Sequence, residues 1–187
     1  MRDGQSVPQN PVTPLADILP GQIWLSEQDP AAPLSRLDRA AVAGANVVLY
    51  DRALAPLVAR ALPIGGYAEP LPGVEAASGP AIAARAVDFA GEGWSVVQLV
   101  AAGPVWRARL ANLPTGLLRA RGNSALPVRL INKTANGRHR DIETDLTDVA
   151  DRVRGFAEHE RLTLILGPVN APRSAHAHAF TANGLAG

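Results

Sequence analysis

GEGWSVVQLVAAGPVWRAR, residues 91–109, is the stretch whose reading decides the fold. Gly91 and Gly93 close a helix, Ser95–Val100 is an apolar run of strand length, and Ala101-Ala102-Gly103-Pro104 is a small-residue turn that leads into a second helix. A buried strand set between helices belongs to a sheet with crossover connections. Open α/β sheets hold their ligands beyond the carboxyl ends of the strands. Residues 101–104 are therefore the first candidate for a binding site, although the turn has no carboxylate, hydroxyl or amide side chain.

Toward the amino end, Pro80–Ala90 reads as a helix with Ile82, Ala86 and Phe89 on one face and Pro80 in the first turn. Asn46–Tyr50 (NVVLY) is a second buried strand, closed by Asp51-Arg52 and followed by a short helix over Ala55–Ala61. Leu34, Leu37, Ala41 and Val42 give Leu34–Gly44 an apolar helical face, with Pro33 at its start and Gly44 at its stop. Gln22–Leu25 is a first strand, with a loop over Ser26–Pro33 behind it. Ile64–Gly79, rich in glycine and proline, is irregular except for a short strand near Tyr67. Strand, helix, strand, helix, strand in this order predicts parallel strands with right-handed crossovers.

Toward the carboxyl end, a short helix over Trp106–Ala111 precedes a possible strand at Leu126–Ile131, where Pro127 marks a strand start or a sheet edge. Asn132–Asp145 is polar, with Asn136-Gly137 as a turn signal. Val149, Val153 and Phe156 share one face of a helix over Leu146–Glu160, for which Asp145 is the expected N-cap. Arg161–Leu166 (RLTLIL) is a buried strand ended by Gly167-Pro168. The expected layout is a Pro-rich arm (1–20), an α/β lobe (21–112), a shortened second α/β lobe (113–169) and an irregular tail (170–187).

Composition bounds the function. The 187 residues are 47% hydrophobic but only 4% aromatic, so Ala, Val and Leu fill the core. Eighteen basic against 17 acidic residues leave a net charge of +1, which argues against a nucleic-acid or anionic-membrane partner. The chain has no cysteine. That excludes disulfides, thiolate metal sites and a cysteine nucleophile, and fits a cytoplasmic setting. No signal-type apolar segment and no run of about 18 apolar residues is present. Phosphate-loop, nucleophile-elbow and His-Glu-x-x-His motifs are likewise absent from the sequence.

Three blocks together resemble the tetrapyrrole methylases, and within them the uroporphyrinogen-III C-methyltransferases. They are Ala45–Pro56 (ANVVLYDRALAP), Glu92–Val100 (EGWSVVQLV) and Leu146–Val169, with its LTDVADRV and LTLILGPV segments. The resemblance implies a parallel-sheet N-terminal lobe, a homodimer, and S-adenosylmethionine lying against residues 101–104. Where the family has a first glycine-rich turn, this chain has Ser26–Pro33 without a glycine. Where the family has an aspartate in the second turn, it has Gly103. Glycines let a backbone approach a ligand closely, so the expectation is a diverged, non-catalytic binding or assembly module connected with sirohaem or other tetrapyrrole metabolism. The alternative is an S-adenosylmethionine-dependent tetrapyrrole methyltransferase, whose catalysis would rest on positioning. Whether Trp106 or Arg107 fills the space above residues 101–104 separates the two.

The candidate cofactor turn is thus Ala101, Ala102, Gly103 and Pro104. The candidate substrate contacts are Tyr50, Asp51, Arg52 and Arg109, the arginines suited to a substrate carboxylate. Tyr50-Asp51-Arg52 reads equally as a strand-ending turn with solvated charges. Arg107, Arg109, Arg119 and Arg121, with Arg138-His139-Arg140 added, are either a patch for a propionate-bearing tetrapyrrole or solvated surface. His176 and His178 lack the further ligands a metal centre needs, and no metal is expected. Asp141, Glu143 and Asp145 read as the solvated side of a loop or strand.

Overall fold

The computed structural model describes residues 17–72, 79–104, 106–107, 126–133, 139–157 and 160–169, with backbone alone for 79–83 and 139–140. Residues 1–16, 73–78, 105, 108–125, 134–138, 158–159 and 170–187 lie outside this set, and with them Arg109, Arg119, Arg121, Arg138, His176 and His178.

The elements in chain order are β1 (Ile23–Gln28), α1 (Arg36–Gly44), β2 (Val47–Tyr50), α2 (Ala55–Ala61), β3 (Tyr67–Pro70), α3 (Gly79–Gly91), β4 (Val96–Ala101), β5 (Pro127–Lys133), β6 (His139–Asp145), α4 (Val149–Arg154) and β7 (Arg161–Leu166). A 3-10 turn, Arg52–Leu54, joins β2 to α2. All seven strands form one sheet in the order β3-β2-β4-β1-β7-β5-β6. The half containing β3, β2, β4 and β1 is parallel, and β7, β5 and β6 continue it antiparallel. The fold is α/β, as the strand–helix alternation predicts.

Apolar side chains cover both faces of the sheet. Ile23, Leu25, Val47, Leu49, Val96 and Val100 point to the face covered by α3 and α4, which add Ala86, Ala90, Val149 and Val153. Trp24, Val48, Val97 and Leu99 point to the face covered by α1 and α2, which add Ala41, Val42 and Val58. Period-two alternation in buried strands feeds two cores at once. Ser35 caps α1, its hydroxyl accepting the Asp38 amide at 3.1 Å. At the amino ends of β2 and β4, Asn46 and Ser95 clasp each other: the Ser95 amide donates to Asn46 Oδ1 at 2.9 Å and the Asn46 amide to Ser95 Oγ at 3.0 Å.

Two local expectations need correction, and a third stretch gains detail. β1 does not stop at Leu25: Ser26, Glu27 and Gln28 continue it and are buried. The polar stretch 132–145 contains the end of β5 and the whole of β6, and its turn signal Asn136-Gly137 lies outside the described residues. Its acidic residues Asp141, Glu143 and Asp145 alternate on one exposed face of that strand, with Ile142 and Thr144 on the other. The helix expected over 146–160 is the shorter α4, whose N-cap is Asp148. Asp145 acts one turn earlier, its carboxylate accepting from the amides of Thr147 at 2.9 Å and Asp148 at 3.1 Å. Pro127 is the first residue of an internal strand, where its missing N–H costs nothing. Gly167, just past β7, has φ +102°, and a Cβ there would stand 2.6 Å from the Val169 amide nitrogen.

Candidate functional site at the carboxyl end of the parallel strands

Tyr50, Asp51, Arg52 and residues 101–104 converge where β1, β2 and β4 end; Arg109 lies outside the described residues. Asp51 follows β2, and its carboxylate accepts the Ala101 amide at 2.7 Å, while its own amide donates to the Leu99 carbonyl at 3.0 Å. The Ala102 amide donates to the Gln28 carbonyl at 2.8 Å. Two amides of the 101–104 turn are therefore tied to neighbouring strands. Tyr50 is half-buried at the end of β2, and Arg52 is exposed at the start of the 3-10 turn. At Gly103 nothing lies within 4 Å of where a Cβ would be, so no neighbour requires a glycine there.

Beyond the turn the chain folds back onto β1. Trp106 is buried against the core on the α3 side. Arg107 forms a two-point pair with Glu27, Nε to Oε1 at 2.7 Å and Nη2 to Oε2 at 3.0 Å, and also donates to the Glu160 carbonyl. Glu27 Oε2 further accepts the Leu162 amide at 2.9 Å. The Glu27 side chain is 1% exposed and that of Arg107 14%. A bidentate, buried geometry of this kind is among the stronger ion pairs available to a protein. It staples the segment after the turn to both β1 and β7.

The next residue back, Ser26, points to the opposite face and supports a second buried cluster. Its hydroxyl donates to Asp38 Oδ1 of α1 at 2.6 Å and lies 2.8 Å from Thr163 Oγ1 of β7. Lys133 Nζ, at the end of β5, donates to Ser26 Oγ at 2.7 Å and to Asp38 Oδ2 at 3.0 Å. Burial alone would raise the Asp38 pKa, but the Lys133 ammonium and the hydrogen bonds of Ser26, Ser35 and Gln28 outweigh it. They hold the carboxyl below its ordinary 3.8. Sequence reasoning missed this cluster, since none of its four main members is near another in the chain except through α1.

Three buried side-chain atoms among the described residues have no hydrogen-bond partner: Gln98 Oε1, Trp106 Nε1 and Asn132 Oδ1. No group of three metal-ligating side chains is present among the described residues. A cavity of about 670 Å³ lies at the other end of β1, lined among others by Trp24, Ile165, Arg129, Glu143 and Asp148. It is remote from the 101–104 turn and of mixed charge. A second cavity of about 460 Å³ sits between α1, α2 and the loop after β1. Among the described residues no helix is long and apolar enough to cross a membrane.

Neither a protein-family model nor a curated protein matches the chain. Solved structures are similar to it. One is a cobalt precorrin-4 methyltransferase of cobalamin biosynthesis, at 13% identity and a TM-score of 0.34, over 80% of this chain and 96% of that one. Another is the uroporphyrin-III C-methyltransferase from Thermus thermophilus, at 17% identity and a TM-score of 0.37, over 79% of this chain and 92% of that one. The Thermus thermophilus enzyme complexed with S-adenyl homocysteine is similar at 15% identity and a TM-score of 0.34, over 79% and 97%. All three are tetrapyrrole methyltransferases.

Proposed function

We propose that this chain is a methylase-like α/β protein that no longer transfers methyl groups, acting as a binding or assembly module beside sirohaem or other tetrapyrrole metabolism. The observation that carries this reading is the engagement of the Ala101 and Ala102 amides by Asp51 and Gln28. A pocket for S-adenosylmethionine needs backbone donors and a carboxylate free to meet the cofactor. Here the Ala101 amide is taken by Asp51, the Ala102 amide by Gln28, and the carboxylates of Asp51 and Glu27 are themselves engaged. These engaged groups speak against a cofactor held by the backbone of Ala101 and Ala102. The missing glycines at Ser26–Pro33 support the same reading, since those positions serve β1 and a loop held by their own hydrogen bonds. Tyr50, Arg52 and Arg109 remain the proposed contacts of a small-molecule ligand, with Asp51 holding the turn beside them, and a homodimer follows from the sequence resemblance.

Titration calorimetry of the purified protein with S-adenosylmethionine and with S-adenosylhomocysteine tests the proposal. The expected result is no binding heat at millimolar ligand. Micromolar binding of either compound overturns it and returns the methyltransferase reading.

A further inference from the structure

The loop after β1, the outer side of α1 and the outer side of α2 line an open-sided cavity of about 460 Å³. Its walls are Pro30, Ala31, Ala32, Pro33 and Leu34 on one side and Pro56, Leu57 and Ala61 on the other. The polar side chains in the lining are two arginines, Arg39 of α1 and Arg60 of α2, and no carboxylate lines it. Neither guanidinium has a hydrogen bond or ion pair among the described residues. The guanidiniums of Arg36, Arg52 and Arg152 are likewise without a partner among the described residues, whereas Arg85, Arg107, Arg129 and Arg154 each have a carboxylate partner.

Two unneutralised guanidiniums facing one apolar space select for a negative charge with an apolar body. The planar guanidinium fork matches a carboxylate at two points, which an ammonium does not. The volume is in the range of small-molecule sites. Three prolines, whose φ is locked, and three alanines, which have no rotamers to lose, make the walls nearly free of ordering cost. Underneath, Leu34 and Val58 are buried in the core and tie both walls to the sheet. We propose that this cavity binds an amphipathic carboxylate, with Arg39 and Arg60 holding the head group and residues 30–34 and 56–61 the aliphatic part. It is a site separate from the 101–104 turn and does not depend on what that turn binds.

The test is a backbone NMR titration of the full chain with octanoate below its micelle concentration, with octylammonium and inorganic phosphate as comparison probes. Octanoate is expected to shift the amides of Ala31, Leu34 and Ala61 saturably, while octylammonium leaves them in place. The Arg39→Gln/Arg60→Gln variant is expected to bind octanoate about a hundredfold more weakly, at roughly tenfold for each charge-assisted contact. Both arginines are exposed, so the variant should keep the wild-type melting temperature, which separates lost binding from lost fold. Failure of octanoate to shift these amides saturably overturns the proposal. So does equal binding of octylammonium, or unchanged affinity in a folded double variant. Phosphate alone matching octanoate would reduce the cavity to a generic anion site and overturn the amphipathic assignment.

Discussion

Glu27 and Asp38 are the two carboxylates on which this structure depends most, because each is buried beside a single cation. Asp38 is 1% exposed, and its partner Lys133 is 9% exposed at the side chain. Removing one member of such a pair leaves an uncompensated buried charge, at about 3–5 kcal/mol. Asp38→Asn is therefore expected to lower the urea midpoint strongly, and Lys133→Met/Asp38→Leu together to cost less than the sum of the single changes. The pH dependence has a definite sign. The folded Asp38 carboxyl titrates below its ordinary 3.8, so in that window the unfolded chain binds more protons and stability rises with pH. The contribution is present above about pH 4 and is lost as pH falls through the folded value. Comparing urea midpoints of wild type and Asp38→Asn from pH 6 to pH 2.5 checks this. The gap between them should narrow with acidification, and a gap independent of pH would refute the assignment.

Elements differ in what secures them. The segment after β4 is closed by a buried pair, Arg107 with Glu27, whereas β6 carries an exposed one, Arg129 with Asp141, at 38% and 40% side-chain exposure. Solvent-exposed pairs contribute about 0–1 kcal/mol. The ladder to β5 and the partly buried Ile142 hold β6 instead. Arg107→Met is expected to destabilise by about 3–5 kcal/mol and Asp141→Ala by less than about 1 kcal/mol. Equilibrium urea denaturation of both variants measures the difference, and equal costs would mean that burial is not the deciding variable. β6 was also the element hardest to read from residues alone. Ile142 is its single large aliphatic side chain, and an edge strand with one solvated side needs no more. Likewise Ser26-Glu27-Gln28 reads as a loop, because nothing adjacent in sequence announces that three consecutive polar residues will be buried.

At the scale of the whole molecule, the central position of β4 and β1 in the sheet, with β3 and β6 at the edges, orders the local stabilities. Native-state hydrogen exchange is expected to be slowest for Val97–Leu99, Trp24–Ser26 and Leu162–Leu166, and faster by orders of magnitude in β3 and β6. Protection of β6 equal to that of β4 would contradict an open outer edge. The apolar runs at 23–25, 47–50, 96–100 and 161–166, with the helices between the first three, were sufficient to determine the α/β class and its parallel half. Their signal is local, since a strand buried on both faces reads as a mostly apolar run and a crossover must be long enough to hold a helix. The tertiary structure decided what stands at the carboxyl end of β1. Ser26 meets Asp38, Lys133 and Thr163, and Glu27 meets Arg107 and Leu162, from 12 to 137 residues away along the chain. Whether a polar residue is buried is settled by partners that only the folded chain brings within hydrogen-bond reach, and no local pattern carries that information.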